Sequence, residues 1–249
     1  MERHWMMEKA ERGREWLTDL LFPRRCPVCG KIVVPKGGLI CPGCVKKLSF
    51  VKGPVCMRCG KELIWQDGEY CHDCMRHRRS FERGAALLNY NEAAAASMAQ
   101  IKYKNKREYL DFYSREMVRR LGKRLAGMGA DAFVPVPVHP SRRRTRGFDQ
   151  AEELADRLSR QTGIPVLKGA LIRSKKTMPQ KALTPEQRLR NLEQAFLVVP
   201  EKLWKGMERV VLVDDIYTTG STIEACSRVL KRAGIKKIYF VSICIGGDR

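Results

Sequence analysis

The sequence predicts an α/β fold, a parallel sheet flanked by helices, with a small metal-held module before it. Three observations carry this. Val210-Val211-Leu212-Val213 is an uninterrupted apolar run, the mark of a strand buried on both faces of a parallel sheet. A helical spacing of Ser221, Ile223, Ala225, Val229 and Leu230 follows it and stops near Gly234. The same order, an apolar run, a short turn and a helix, recurs over 131–160. Third, C-x-x-C pairs begin at Cys26, Cys41, Cys56 and Cys71, a step of fifteen each time.

At 249 residues the chain has room for one full α/β domain and a smaller one. The divisions expected are an amphipathic helix over 1–22, a double zinc-binding module over 23–80 and the α/β domain over 81–249. The net charge of +21, from 48 basic and 27 acidic side chains, points to an anionic partner. Nucleic acid, a phosphorylated small molecule and an acidic membrane all qualify, and a generally basic, heat-adapted surface is the competing explanation. No run approaches eighteen apolar residues, so no membrane span is expected. The amino terminus mixes Arg3, Lys9, Arg12 and Arg14 with five acidic residues and lacks the apolar centre of a signal peptide. A cytoplasmic location follows as an expectation, and there C-x-x-C pairs favour metal over disulfides.

In chain order, residues 2–22 read as a helix with Trp16, Leu17, Leu20 and Leu21 as its apolar stripe, closed by Pro23. The eight cysteines Cys26, Cys29, Cys41, Cys44, Cys56, Cys59, Cys71 and Cys74 suit two tetrahedral zinc ions. The segment has too few large apolar residues to fold without them. Sequential pairing, with the first four on one ion and the last four on the other, is preferred, although spacing alone does not exclude a cross-braced arrangement. His72 and His77 are read as solvent-facing. Arg76, Arg78, Arg79 and Arg83 make a basic junction. A strand is expected over 85–90, then helices over 92–102 and 109–125. The run Lys102 to Arg107 interleaves Tyr103 with bases, as a single-strand-binding segment or a solvated helix end would. A strand over 131–138 leads to a basic turn with Arg142, Arg143, Arg144 and Arg146, then a helix over 149–160. Short strands are expected within 164–171 and over 195–199, 209–213 and 237–245. A long polar loop, 173–192, lies among them. Cys226 and Cys244 are read as core residues.

The chemistry concentrates at Asp214 to Thr222. A turn at the carboxyl end of a central strand and the amino end of a helix is where open α/β folds bind phosphate. Thr218, Thr219, Ser221 and Thr222 add hydroxyls, and Gly220 lets backbone approach a ligand closely. Asp214 and Asp215 suit a vicinal diol next to that phosphate, hence a ribose 5-phosphate. Adjacent carboxylates at the end of a buried strand are costly to desolvate unless something uses them. The alternative is an ordinary strand–helix junction in which they serve as caps.

This stretch resembles the phosphoribosyl-pyrophosphate (PRPP) motif of type I phosphoribosyltransferases. With the cysteine pairs after Leu21-Phe22-Pro23, Val134-Pro135-Val136-Pro137, Arg146-Gly147-Phe148-Asp149-Gln150, and Gln180 and Leu183 with Arg188 and Asn191, the chain resembles the ComF family of competence-associated proteins. That family more often has Asn at position 149. The resemblance implies a type I phosphoribosyltransferase-like parallel sheet behind a double zinc-ribbon-like module. It also implies that Asp214 and Asp215 hold ribose hydroxyls and act in catalysis, and that residues 218–222 bind the 5-phosphate. The arginines at 142, 143, 144 and 146 would lie near pyrophosphate, and residues 173–192, with Gln180 and Arg188, would close over the ligand. Mg2+ would accompany PRPP. Implied partners are single-stranded DNA and a competence helicase or other DNA-uptake machinery. Two functions are therefore expected to compete: transfer of a phosphoribosyl group to an unknown acceptor, or non-catalytic DNA binding with PRPP as a regulatory ligand.

Overall fold

The computed structural model describes residues 23–63, 68–174, 192–203 and 206–247. The expected helix over 2–22 lies outside them, as does most of the loop over 173–192, including Gln180 and Arg188.

A four-stranded sheet forms the centre. Its strands are β1 (Arg83–Asn89), β6 (Lys237–Ile245), β5 (Arg209–Tyr217) and β2 (Ala132–Pro135), in that order across the sheet and all parallel. A two-stranded antiparallel ribbon, β3 (Leu171–Arg173) with β4 (Phe196–Val198), stands apart. The strand expected within 164–171 is only a bridge from Val166 to Phe133, with β3 starting at Leu171. Pro165 cannot donate to a ladder, which keeps that pairing short.

Parallel strands need crossover helices. These are α1 (Glu92–Lys104), α2 (Tyr109–Met128), α3 (Pro140–Arg146), α4 (Gln150–Thr162) and α5 (Ser221–Arg232). Alternation along β5 divides the core in two. Val211 and Val213 pack with Met98, Tyr113, Met117, Leu154 and Leu158 under α1, α2 and α4. Val210 and Leu212 face the other way, with Ile223 and Leu230 of α5, Phe240 and Phe196. All four apolar residues of that run are fully buried, as a doubly covered strand requires. Cys226 and Cys244 are fully buried too.

One expectation is corrected here. The basic turn at 140–146 is a seven-residue helix, α3. Pro140 fits its first turn, His139 accepts from the Ser141 amide to cap it, and Gly147 ends it at φ 76°.

The cysteine module packs on both faces of this body. Its first half lies against the α2 face through Val28, Leu39 and Ile40. Its second half joins the α5 face, where Cys56, Cys59 and Cys71 share a core with Phe81 and Tyr217. Gly60, at φ 76°, brings the knuckle so close to β1 that a Cβ there would stand 2.6 Å from the Gly84 carbonyl oxygen.

Candidate ribose-phosphate site

β5 carries Asp214 and Asp215 to the carboxyl edge of the sheet, and three residues, 218–220, separate its end from the start of α5. The first-turn amides of a helix lack intrahelical acceptors, so Ser221, Thr222 and Ile223 present N–H groups and positive potential to this edge. Thr218 and Thr219 are exposed, Ser221 and Thr222 partly so, and the Thr219 and Ser221 hydroxyls lie 3.0 Å apart. Gly220 is buried at φ 78°, where a Cβ would meet the Tyr217 hydroxyl at 2.3 Å. The turn is closed down onto Tyr217, which stacks on Phe240 at 4.6 Å between ring centroids.

The two aspartates have different surroundings. Asp215 is buried, and its Oδ2 lies 2.6 Å from Lys102 Nζ in the last turn of α1. The same oxygen accepts from Gln150 Nε2 at 3.3 Å, and Gln150 Oε1 accepts from Arg146 Nη1 at 2.9 Å. Asp214 keeps part of its residue surface open, but its carboxyl group is enclosed by protein, and its Oδ1 accepts from the Asp215 amide at 2.8 Å. Burial, and then the Asp215 carboxylate beside it, push the Asp214 carboxyl well above the usual carboxylate range.

Of the four predicted arginines, Arg146 joins this network, with its guanidinium also 5.6 Å from the Tyr103 ring centre. Arg142, Arg143 and Arg144 are exposed on α3, and Arg143 pairs with Glu152 at 3.1 Å. Arg142 and Asp214 both lie near Arg173 of β3, whose guanidinium is lowered by burial first and then by the Arg142 cation. Asp149 is a structural residue. Its Oδ1 caps α4 at the Ala151 and Glu152 amides, while its Oδ2 accepts from the Val138 amide, tying the end of β2 to the helix.

Lys102, Gln150 and Arg79 are the site neighbours that sequence reasoning missed. Lys102 stood in a run read as nucleic-acid binding. Within that run Lys102 and Arg107 are drawn toward the protein, Arg107 covering the Phe148 ring at 4.5 Å, while Tyr103 and Lys104 stay exposed and Asn105 ends α1 in the left-handed region. Arg79 leaves the cysteine module and donates from Nη2 to the Thr219 carbonyl oxygen at 3.0 Å. Next to it, the Ser80 amide and hydroxyl donate to the buried Glu224 carboxylate in the first turn of α5.

The eight thiols fall into two groups, Cys26, Cys29, Cys41 and Cys44, and Cys56, Cys59, Cys71 and Cys74. Within each, all sulfurs lie within 4.8 Å of one another. Pairing is therefore sequential, not cross-braced. Zinc–sulfur bonds of about 2.3 Å in a tetrahedron put sulfurs about 3.8 Å apart. Cys29 and Cys41 at 3.9 Å and Cys59 and Cys71 at 3.5 Å fit that spacing. Burial opposes ionisation, yet the backbone amides of Cys41, Cys29 and Val28 bring the Cys26 thiol down to about 7 from an ordinary 9.0. Both groups fit a zinc ion. His72 and His77 belong to neither and are exposed.

Known proteins agree with this arrangement. The family described as "Double zinc ribbon domain" matches residues 17–75, and "Phosphoribosyl transferase domain" matches residues 144–249. The chain is 32% identical over 173 residues to "Competence protein F" of Haemophilus influenzae, covering 67% of this chain and 74% of that protein. The chain belongs to the ComF family. Other relatives of this ComF chain include "DNA utilization protein YhgH" of Escherichia coli, 28% identical over 69% of this chain and 75% of its own. "Competence protein ComFC" of Bacillus subtilis is 26% identical, over 60% of this chain and 58% of its own. The ComF chain thus combines a type I phosphoribosyltransferase-like sheet with two four-cysteine zinc sites. Among the described residues no helix is long and apolar enough to cross a membrane.

Proposed function

We propose that this ComF-family chain binds PRPP with Mg2+ at the β5–α5 turn and transfers its phosphoribosyl group to an acceptor, in a role linked to DNA uptake. The observation that carries the reading is the convergence on one edge of an acidic pair, a hydroxyl-rich helix amino end and Arg146. In this reading Asp214 and Asp215 together hold the ribose hydroxyls, with Asp214 the more open member of the pair and Asp215 the inner one. The amides and hydroxyls of 218–222 hold the 5-phosphate. Arg146, with Arg142, Arg143 and Arg144 on the same helix, faces the pyrophosphate. Gln180 and Arg188 are assigned to substrate binding on the ComF resemblance alone. Mg2+ bound with PRPP beside Asp214 and Asp215 would supply positive charge that neutralises the leaving group.

The C1–O bond to pyrophosphate breaks, its electron pair leaving with pyrophosphate. The acceptor's lone pair forms the new bond to C1, and the acceptor's proton passes to the departing pyrophosphate. Positioning and electrostatics carry the reaction, with no nucleophile supplied by the protein. The domain division follows the same logic, with zinc modules over 23–80 and the transfer domain over 81–249.

The +21 charge favours a second reading, in which the chain holds single-stranded DNA for a competence helicase or other uptake machinery in the cytoplasm and PRPP only regulates it. Calorimetry with Mg2+ and PRPP separates the two from the start. Binding that Asp214→Ala abolishes, with pyrophosphate released when acceptors are supplied, supports transfer. Binding without turnover over a broad acceptor set supports the regulatory reading, and no binding at all removes both.

A further inference from the structure

Lys102 has no role in the motif that defines the site, yet among the described residues it makes the closest contact from another element to the acidic pair. It sits in the last turn of α1, far in sequence from β5, with its Nζ 2.6 Å from Asp215 Oδ2. The Lys102 and Asp215 side chains are only 19% and 10% exposed. A lysine rarely withdraws this far from water unless a charge holds it there. Successive strand residues point to opposite faces, and the partners follow that rule. Asp215 is held from the α1 and α4 face by Lys102 and Gln150, whereas Asp214 lies toward the α5 face, near Arg173. The Asp215 backbone amide in turn donates to Asp214 Oδ1, which sets the two carboxylates side by side at the end of β5. Without a cation the pair would present two adjacent negative charges to a ligand that already carries several phosphate charges.

Resting on the PRPP-binding reading, we propose that Lys102 is a positioning residue for the acidic pair, which fixes the two carboxylates for a vicinal diol and so makes the site select ribose over 2-deoxyribose phosphates. The chemistry is simple. A sugar without its 2-hydroxyl has no diol for aligned carboxylates, so it has little to lose when the alignment is lost. A hydrogen bond from a ligand hydroxyl to a charged group is worth a factor of about ten to a hundred in affinity. The network continues through Gln150 to Arg146, so the same lysine also anchors the helix that carries the arginines.

The test is calorimetry on the zinc-loaded full chain with Mg2+, using ribose 5-phosphate, 2-deoxyribose 5-phosphate and inorganic phosphate as three probes. Wild type is expected to prefer ribose 5-phosphate over its deoxy analogue by roughly tenfold or more. Lys102→Met is expected to lose that preference by weakening the ribose compound alone, with inorganic phosphate unaffected and Lys102→Arg restoring it. The proposal is overturned if Lys102→Met keeps the preference. It is equally overturned if the variant weakens all three probes alike, or fails to fold while Lys102→Arg folds and binds without selectivity, since either outcome marks a structural role alone. Wild type that binds inorganic phosphate but neither sugar phosphate overturns the PRPP reading itself, and this inference with it.

Discussion

Replacing Gly220 by Ala tests whether the turn is as tightly closed as its geometry shows. Two costs add. A non-glycine residue at φ 78° carries the left-handed penalty, about 1–2 kcal/mol. The new Cβ would also stand 2.3 Å from the Tyr217 hydroxyl, 2.7 Å from Cζ and 3.0 Å from Cε2. Tyr217 cannot swing aside, because it is buried between Phe240, stacked at 4.6 Å, and Phe81, edge-on at 6.4 Å. Overpacking of this kind costs about 1–3 kcal/mol. The expected loss is about 2–5 kcal/mol, a large share of an ordinary domain's stability. Urea denaturation of the zinc-loaded chain measures it as a lower midpoint at unchanged slope. Tyr217→Phe alone should be nearly neutral, because the hydroxyl is buried without a hydrogen-bond partner among the described residues. Combined with Gly220→Ala it should recover only part of the loss, since Cζ remains too close. A Gly220→Ala variant within about 0.5 kcal/mol of wild type would refute the reasoning, for that is the scatter of surface substitutions.

Three further predictions follow from the same edge. PRPP binding should strengthen as pH rises through a midpoint above the usual carboxylate range, because Asp214 must lose its proton to accept from a diol and its carboxyl is pushed up. Calorimetry across pH checks this, and Asp214→Asn should flatten the profile. The sign for stability is opposite: the native carboxyl keeps its proton above 3.8, so its contribution to folding is present at low pH and is lost as pH rises through that window. Asp149→Ala should destabilise the chain by about 1–3 kcal/mol in denaturant titration, since three backbone amides lose their acceptor. Metal analysis should find two zinc ions per chain and one in Cys71→Ser. That variant should also bind inorganic phosphate more weakly, because Arg79 and Ser80 pass from the second zinc module directly to the phosphate turn.

The features legible in the sequence were those written in local pattern. Val210 to Val213 announced a doubly buried strand, and the fifteen-residue step of the cysteine pairs announced two zinc sites. The distance from Asp214 to Ser221 set the carboxylates and the helix amino end beside each other. What sequence could not supply was long-range pairing. Lys102 reaches Asp215 across 113 positions only because α1 runs to the carboxyl edge of β5. Arg79 reaches Thr219 across 140 because the second knuckle is docked under α5. Position 149 shows the limit differently. The resemblance marked it only as a place where the family more often has Asn, and nothing local shows that the Asp149 oxygens are spent on the Val138, Ala151 and Glu152 amides. The arginine cluster read as a turn because its charge masked the helical signals on either side, Pro140 at the start and Gly147 at the end.

The most direct test of the central claim is a crystal structure of the zinc-loaded chain soaked with PRPP and Mg2+. The account predicts the ribose diol within hydrogen-bond reach of Asp214, the 5-phosphate against residues 218–222, and the pyrophosphate facing Arg146, with Lys102 still on Asp215. A ligand bound elsewhere, or ribose hydroxyls turned away from Asp214 with the 5-phosphate off the α5 amino end, would contradict it.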